Sequence, residues 1–490
     1  MNLTADLARV TPELVLLVGG LLLVVLDLLV HDDQKHLVWQ AALGVVVLAA
    51  IATLLSGQLL EREASRVFFG VYVLDRFGTA FKLISLACTA LVIASATKYF
   101  ARRPVLRGEI FYLLVFCCLG LVLLGGSSDL VLIYLSIEFV SLTSYVMAGY
   151  LTTDRRSNEA ALKYFLYGAS ASAVMLYGLS LLYGAAGSTQ LATVARALTS
   201  FQGPSTLEVV ALVLTFAGFG YKLAAAPFHA WAPDVYEGSP TPVTAFFSVG
   251  PKLAGLAVFV RFLEGAVPSW HGEWVPLVAV LATLTMFVGN LGALSQTNIK
   301  RMLAYSSIAH AGYLLIGVAS VGVLGSADRD SWALSGVILY ATVYLFMNLG
   351  AFAVAIAVGE ATGSDDIEGY AGLAKHAPAL AACMAVFMLS LAGIPPLAGF
   401  VGKLYVFGAA IQSTRLWWLA ALGIVNSVIA LYYYMNIVRL MYLAPPGRAL
   451  EPPRDVPLRL VIGVTAVISL VLGLLPILYQ FATGAAVLQF

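Results

Sequence analysis

The sequence has little charge for its length. Of its 490 residues, 11% are charged and 61% are hydrophobic, whereas soluble domains average about 25% charged and about 45–50% apolar residues. The 27 Lys and Arg residues nearly balance the 26 Asp and Glu residues, so the chain carries neither a basic field for nucleic acid nor an acidic tail. These absences exclude a soluble enzyme, a nucleic-acid-binding protein and a disordered protein, and they leave a polytopic membrane protein.

Cysteines are also scarce. Cys88, Cys117, Cys118 and Cys383 lie within apolar runs, without C-x-x-C spacing and without paired histidines. Iron–sulfur clusters and structural zinc sites need clustered thiolates or imidazoles, so we expect no cofactor and no metal on this chain. The thiols are expected to pack as small apolar side chains. The sequence also lacks a complete phosphate-binding loop or dinucleotide fingerprint, which excludes nucleotide chemistry.

Long apolar runs predict an all-α membrane protein with about fourteen transmembrane helices, since about 20 apolar residues cross the hydrocarbon core. The first run follows no basic segment and carries Asp6 and Glu13 ahead of its core, so it is expected to remain as helix 1 rather than to be cleaved. The runs lie near 12–30, 37–56, 77–97, 110–126, 129–150, 160–184, 207–228, 240–263, 273–294, 302–322, 332–358, 379–411, 415–443 and 456–480.

The loop charges predict an orientation. More Lys and Arg residues follow odd-numbered helices than lie in the opposite loops, and Arg102, Arg103, Arg107, Arg448 and Arg454 are among them. Because cytoplasmic loops carry the excess of basic residues, both termini are expected to face outward.

Five lysines fall inside predicted spans, where a charge is costly and tends to mark an ion or proton path. They are Lys82, Lys163, Lys222, Lys252 and Lys403. Arginine is absent from this set, and lysine, unlike arginine, releases its proton when desolvated. Lys82, near the start of helix 3, is expected to extend to the membrane interface, whereas Lys163 fits either such an extension or a proton role. Among the acids, Glu138 lies in mid-span between apolar neighbours, so it is a candidate partner for a buried ammonium.

Prolines interrupt two of the spans that carry these lysines. Pro227 follows Lys222 in helix 7, and Pro395 and Pro396 precede Lys403 in helix 12. Unwound backbone at membrane depth persists only where protein or a water-filled cavity satisfies its polar groups, and paired broken helices are typical of inverted-repeat transporters. Helices 4–8 and 9–13 are therefore predicted to be inverted repeats with broken helices 7 and 12. A pair of ordinary proline kinks is the alternative.

Two histidines add candidate proton carriers. His229 lies seven residues after Lys222, near the same face if the helix continues past the proline. His310 lies in the middle of helix 10, where it either relays protons near neutral pH or makes an interhelical hydrogen bond. Tyr344 and Asn348 on helix 11 fit a hydrated path or interhelical bonding equally well.

Three segments resemble the antiporter-like membrane subunits of respiratory complex I, and the resemblance covers nearly the whole chain. One motif begins at Lys222 and contains Pro233-Asp-Val-Tyr-Glu-Gly-Ser-Pro-Thr-Pro242, a form similar to the subunit N group of bacterial NADH-quinone oxidoreductases. The others are Asn298-Ile-Lys-Arg-Met-Leu-Ala-Tyr-Ser-Ser-Ile-Ala-His310 and Gly393-Ile-Pro-Pro-Leu-Ala-Gly-Phe-Val-Gly-Lys403.

This resemblance implies a domain organisation and a set of roles. Residues 1–109 would hold helices 1–3 as a scaffold, 110–270 helices 4–8 as the half through which protons enter, 271–443 helices 9–13 as the exit half, and 444–490 a linker and helix 14. Glu138 would pair with Lys222, Lys163 would lie near them, Lys252 would connect the halves, and Lys403 would serve the exit half. His229 and His310 are further candidates.

The resemblance also implies a function and partners. The chain would be a proton-translocating subunit of NADH:quinone oxidoreductase in a bacterial plasma membrane, coupled to quinone reduction elsewhere in the complex. NADH, FMN, iron–sulfur clusters and quinone would be bound by other subunits, and the partners would be antiporter-like and small membrane chains, the lipid bilayer and protons. A cation/proton antiporter subunit of the same fold and a purely structural spacer are the alternatives.

Overall fold

The computed structural model describes residues 3–31, 34–59, 64–101, 108–199, 203–324, 332–445, 455–474 and 477–489. Nearly all of the regular structure is helical. The helices are α1 (Leu3–Arg9), α2 (Thr11–Leu29), α3 (His36–Leu55), α4 (Arg76–Ala101), α5 (Glu109–Gly126), α6 (Leu130–Ala148), α7 (Arg155–Ala186), α8 (Leu191–Ala197), α9 (Thr206–Leu223), α10 (Trp231–Gly238), α11 (Thr241–Ala266), α12 (His271–Leu294), α13 (Ile299–Leu324), α14 (Trp332–Thr362), α15 (Leu373–His376), α16 (Pro378–Ala392), α17 (Ala398–Gln412), α18 (Trp417–Leu443), α19 (Val456–Leu474) and α20 (Ile477–Ala485).

The predicted spans are found as helices. Within the described residues, 13 helices are long and apolar enough to cross a membrane, which confirms a polytopic all-α protein. The run near 379–411 differs, because it divides into α16 and α17, each of 15 residues. A helix of that length rises about 1.5 Å per residue and is too short to cross about 30 Å of hydrocarbon alone.

Two interruptions separate helix pairs at the proline positions. Helix α9 ends at Leu223, where Ala224 takes a left-handed φ of 53° and its amide donates back to the last turn. Helix α16 ends at Ala392, where Gly393 takes a φ of 88°. A left-handed residue ends a helix because it turns the following chain out of the helical path, so Lys222 and Lys403 flank backbone groups that the helices no longer satisfy.

The central helices are buried by the others. Every residue of α11 is buried, and α11 packs against α4, α5, α13 and α14. In each of α7, α18 and α19, about a third of the residues in the most apolar segment are buried. These helices therefore lie at the periphery of the bundle. The centre consequently contains side chains that are shielded from both lipid and solvent.

A small antiparallel hairpin covers one end of the bundle. Strand β1 (Ser65–Val67) pairs with β2 (Tyr72–Leu74) in the register Ser65–Leu74. β2 is fully buried and contacts α4 and α5, so the hairpin places Tyr72 between helices.

Part of the orientation prediction rests on residues that lie outside the described ranges. The residues outside them include Arg102, Arg103, Arg107, Arg448 and Arg454, and most of the predicted linker at 445–457. The orientation of the termini therefore stays a prediction.

Candidate functional site

Lys222 lies in the last turn of α9, immediately before the interruption, and is buried. Its Nζ donates to Ser141 Oγ of α6 at 3.0 Å. Gly255 of α11 faces the lysine stem, since a Cβ there would lie 3.1 Å from Lys222 Cγ. The absence of a side chain at Gly255 thus leaves room for a lysine between α9 and α11.

Glu138 lies one helical turn from Ser141 on α6 and is half-buried. Its carboxylate accepts a hydrogen bond from Ser172 of α7. The predicted Glu138–Lys222 pair is close but not joined: among the described residues no ion pair of 4.0 Å or less links them. The carboxylate binds Ser172 of α7, while the ammonium binds Ser141, the next polar residue along α6.

Lys252 lies in the middle of α11 and is buried. Its ammonium donates to Ser307 of α13 and lies 5.4 Å from the centre of the Tyr236 ring. A hydroxyl and a ring face are neutral partners, so no carboxylate among these contacts holds the lysine charged. This is the environment in which a lysine can lose its proton.

His310 lies three residues after Ser307 on α13, on the same helical face as the serine that binds Lys252. Ser306, adjacent to Ser307, lies 2.5 Å from the Tyr434 hydroxyl, and that hydroxyl lies 3.2 Å from His310 Nε2. The other ring nitrogen, Nδ1, lies 2.6 Å from the Tyr340 hydroxyl. Both nitrogens are therefore hydrogen-bonded inside the bundle, as a relay requires.

Lys403 lies in the second turn of α17 and is buried. Its Nζ donates to the Ala392 carbonyl oxygen at 3.0 Å, and this oxygen is left free by the end of α16. The ammonium lies 4.6 Å from the centre of the Tyr313 ring. The interrupted helix therefore supplies the acceptor for the lysine that follows it.

Tyrosine and asparagine side chains connect the His310 region with Lys403. Tyr433, adjacent to Tyr434, donates to Asn290 Oδ1 at 3.0 Å. Asn290 Nδ2 in turn donates to the Tyr313 hydroxyl at 3.1 Å, and the Tyr313 ring faces Lys403. Polar groups on α11, α12, α13, α17 and α18 thus lie between Lys252 and Lys403, and the Tyr433 and Tyr434 rings, whose centres lie 4.3 Å apart, bring the His310 group beside the Asn290 group.

Sequence reasoning missed most of the residues between the lysines. The missed residues are of types that commonly lie at the membrane interface or between membrane helices, namely Ser307, Tyr340, Tyr434, Asn290 and Tyr313. The usable signal was the recurrence of Tyr and Asn in otherwise apolar spans. Tyr344 and Asn348, which were singled out, lie in the same region: Tyr344 donates to the Ser248 carbonyl at 3.3 Å and Asn348 to Ser248 Oγ at 2.6 Å.

Lys163 is placed in a different environment from the other candidate lysines. Its side chain is 37% exposed and pairs with Asp234 at 2.7 Å and with Glu159 at 2.8 Å. Asp234 also pairs with Arg301 at 2.6 Å. These residues line a cleft of about 250 Å³, and the structure does not bring Lys163 into contact with Glu138 or Lys222.

His229 lies in the interruption between α9 and α10. Because α9 ends at Leu223, the spacing from Lys222 no longer places the histidine on the same helical face. Its ring is half-buried, and within the described residues Nδ1 has no hydrogen-bond partner.

Two expectations about buried charge were wrong. Lys82 does not extend to the interface: it is fully buried and pairs with Glu13 at 2.6 Å. Arginine is also not absent from the buried cations, because Arg261 in α11 is fully buried against Asp75 at 2.7 Å. The acidic partners lie far from these cations in sequence, so they were not recognisable from local pattern.

The cysteines pack as expected. Cys88, Cys117 and Cys118 are buried, Cys383 is partly buried, and all four are free. Within the described residues, no group of three or more His, Cys, Asp or Glu side chains is arranged to hold a metal ion.

The chain is similar to known membrane proteins over nearly its whole length. The chain is 43% identical to the NADH-quinone oxidoreductase subunit N of Moorella thermoacetica over 99% of both chains. A chain of respiratory complex I from Thermus thermophilus superposes with a TM-score of 0.78 at 33% identity, covering 95% of this chain and 97% of that one. A chain of the Mrp complex from Dietzia sp. shares the fold, with a TM-score of 0.84 at 23% identity over 99% of this chain and 97% of that one.

The protein family that matches the chain includes both kinds of relative, the NADH-quinone oxidoreductase subunits and the Mrp subunits. The family described as "NADH:quinone oxidoreductase/Mrp antiporter, TM" matches residues 127–430, which include the interruptions, Glu138 and the lysines from Lys163 to Lys403. The chain belongs to this family of NADH:quinone oxidoreductase and Mrp antiporter membrane subunits, and within it to the subunit N group.

Proposed function

We propose that this chain is a proton-translocating membrane subunit of an NADH:quinone oxidoreductase in a bacterial plasma membrane. The observation that carries the proposal is the set of buried polar groups between Lys252 and Lys403. Ser307 binds Lys252, Tyr434 contacts Ser306 and His310, and Asn290 joins Tyr433 to Tyr313, whose ring faces Lys403. Buried ionisable groups in a membrane protein are costly and are retained where they serve a proton or ion path.

Proton movement begins with the charge state of Lys222. Quinone reduction in other subunits shifts Glu138 toward or away from the Lys222 ammonium. When the carboxylate approaches, both groups remain charged; when it withdraws, the lysine in its low-dielectric site gives up its proton. That proton passes to Lys252 and along the tyrosine and histidine series to Lys403, from which it leaves.

Energy for this transfer has to come from outside the chain. Moving one charge against the membrane potential costs about 2.3 kcal/mol for each 100 mV, so an uncoupled path would dissipate the gradient. NADH, FMN, iron–sulfur clusters and quinone are accordingly assigned to the other subunits, and coupling to this chain is through charge and conformation.

We assign the two halves of the path to two inverted repeats, α5–α11 within 110–270 and α12–α18 within 271–443. Each contains one interrupted helix, α9–α10 and α16–α17, with a lysine beside the break, which supports a shared architecture. Residues 1–109 would act as a scaffold, 444–490 as a linker and final helix, and both termini would face outward.

Lys163 and His229 are assigned to proton uptake rather than to the central series. Lys163 is partly exposed and ion-paired beside a cleft, and His229 is half-buried in the interruption next to Lys222. Groups between solvent and the buried lysines suit the uptake of protons from water.

Replacing Lys222 by alanine tests this function directly. Lys222→Ala should leave complex assembly and NADH dehydrogenase activity near wild-type values, while proton pumping and quinone-linked turnover in membranes collapse. Lys98→Ala, at an exposed position near the end of α4, is the matched control and should pump normally. Normal pumping by Lys222→Ala in an assembled complex would contradict the proposal.

A cation/proton antiporter subunit is the second candidate, because the matched family also includes Mrp antiporter subunits. Sodium-dependent proton exchange by the assembled complex, independent of NADH and quinone, would favour it. A purely structural spacer would instead tolerate neutral residues at Glu138, Lys222 and Lys403 without loss of pumping.

A further inference from the structure

A second group of buried charges lies outside the series from Lys222 to Lys403. In α4, Lys82 is 0% exposed and its Nζ lies 2.6 Å from Glu13 Oε1 of α2. The Tyr72 hydroxyl of β2 donates to the same Glu13 oxygen at 2.6 Å, and the lysine ammonium lies 5.0 Å from the centre of the Tyr72 ring. Three elements therefore meet at one acid, one base and one phenol.

This pair is incompletely satisfied. Within the described residues, Glu13 Oε2 has no hydrogen-bond partner, and Lys82 Nζ has the ion pair but no hydrogen bond of normal geometry. A buried ion pair is stable against its neutral form only when further hydrogen bonds satisfy the remaining donors and acceptors. Here Glu13 Oε2 and the ammonium lack such bonds, and the phenol of Tyr72 supplies the one further bond to the carboxylate within the described residues.

A polar stripe leads from Lys82 toward the centre of the bundle. Ser85 and Thr89 lie three and seven residues farther along α4, on the same face as the lysine, and both are buried. Beside Thr89, Cys88 contacts α11: a Cβ on Gly250 would lie 3.5 Å from Cys88 Sγ, and Gly250 is two residues before Lys252. The stripe therefore begins at the Lys82 pair and follows α4, which packs against α11.

The other side of the pair faces an end of the bundle. Glu13 is in the first turn of α2, two residues after the exposed Thr11, and Tyr72 belongs to the hairpin that covers this end. Burial and the neighbouring Glu13 carboxylate raise the pKa of Tyr72 well above its usual value, so the phenol keeps its proton and remains a donor to Glu13.

We propose that Lys82 and Glu13 form a second proton-exchanging pair, which carries protons between the polar stripe of α4 and the hairpin end of the bundle. The ammonium passes one proton to the carboxylate, leaving a neutral amine and a carboxylic acid. The acid releases that proton to water at the hairpin end, and the amine takes up another from the α4 stripe, so each cycle moves one proton. This inference rests on the proposed function of proton translocation.

An ion pair that only anchors α2 to α4 is the competing interpretation, and a double variant separates the two. Glu13→Gln with Lys82→Met removes both charges, mimics the neutral pair and leaves no unpaired charge. We expect the double variant to assemble but to pump, per NADH oxidised, at about half the wild-type value or less, since the two residues can no longer carry the proton. The matched control is Asp27→Asn with Lys35→Gln, an ion pair of 2.9 Å that also involves α2, and it should pump normally.

Lys82→Arg provides an independent variant, because arginine keeps the charge and the pairing but does not release its proton. It should assemble and lose pumping as the double variant does. Wild-type pumping by either assembled variant would overturn the proposal, and so would failure of the double variant to assemble, because a proton-exchanging pair has to tolerate its neutral state. Measuring Lys222→Ala in the same experiment separates failure of the proposed function from failure of this inference. Normal pumping by Lys222→Ala would contradict the proposed function. Normal pumping by the Lys82 variants alone would contradict only the second proton-exchanging pair.

Discussion

The three buried lysines Lys222, Lys252 and Lys403 have neutral hydrogen-bond partners, and this matters for proton transfer. Lys222 and Lys252 each donate to a serine hydroxyl, and Lys403 donates to a backbone carbonyl. Such acceptors stabilise a cation less than a carboxylate does, so the charged and neutral forms are closer in free energy. By contrast, Arg261 has a carboxylate partner in Asp75, and arginine keeps its charge in nearly any environment. A lysine with a neutral partner therefore suits proton transfer, whereas an arginine paired with a carboxylate suits a structural role.

Tyr434 links two polar side chains of α13, because its hydroxyl contacts both Ser306 and His310. Tyr434→Phe should leave assembly intact and lower proton pumping several-fold, since one hydrogen bond contributes about 1 kcal/mol. The measurement is the initial rate of proton uptake by inverted membrane vesicles on addition of NADH.

Tyr305→Phe is the control for that variant. Tyr305 is on α13, next to the serine that Tyr434 contacts, is partly buried, and no hydrogen bond of its hydroxyl is found within the described residues. Equal pumping rates in the Tyr434→Phe and Tyr305→Phe complexes would show that the tyrosine hydroxyl is not part of the path.

At the scale of helices, the end of α16 is matched to the side chain that follows it. Gly393 has a φ of 88°, and a Cβ there would lie 2.9 Å from Lys403 Cδ. Gly393→Ala should therefore destabilise the subunit by about 1–2 kcal/mol, the cost of a left-handed conformation for a residue with a Cβ, and should also displace Lys403. Thermal unfolding of the purified complex measures the first effect and pumping the second.

Gly463→Ala in α19 is the comparison, because a Cβ at Gly463 meets nothing within 4 Å. In a helix interior alanine is favoured over glycine by about 1 kcal/mol, so this variant should be as stable as the wild type or more so. Equal stability of the two alanine variants would mean that the turn at Gly393 imposes no requirement for glycine.

The helices were largely predictable from the sequence, whereas their partners were not. Hydropathy is a local property, so the apolar runs correspond to helices, and the proline positions marked both interruptions, including the one that divides the run near 379–411 into α16 and α17. Side-chain pairing depends on residues distant in the chain: Glu13 meets Lys82, and Asp75 meets Arg261. Local pattern therefore identified Lys222, Lys252 and Lys403 as buried but placed Lys82 at the interface and Arg261 outside the buried set.

At the scale of the whole molecule, the two ends of the bundle are held together differently. At one end, Asp234 of α10 binds Lys163 of α7 and Arg301 of α13, all partly exposed. Partly exposed ion pairs contribute about 0–1 kcal/mol each, so they add little to the stability of this end. Because α7 and α13 belong to different proposed repeats, these pairs join the two halves of the path.

The other end is held by a buried arginine. Arg261 of α11 donates to both Asp75 oxygens, at 2.7 and 3.0 Å, to the Gly125 carbonyl of α5 and to the Gln489 carbonyl near the carboxyl terminus. One guanidinium therefore joins segments from the beginning, middle and end of the chain. Its rigid, always charged fork suits that role better than a lysine would.

Arg261→Met should be among the most destabilising single changes, at about 3–5 kcal/mol, because it leaves the Asp75 carboxylate buried without a partner. Combining it with Asp75→Asn should recover most of that loss, since no unpaired charge then remains. Complex abundance on native gels and thermal unfolding of the purified complex provide the measurement. If the double variant is as unstable as Arg261→Met alone, the bonds to Gly125 and Gln489, rather than the ion pair, hold this end together. In either case, proton pumping per assembled complex should stay near the wild-type value, because a fixed charge anchors the fold without carrying the proton.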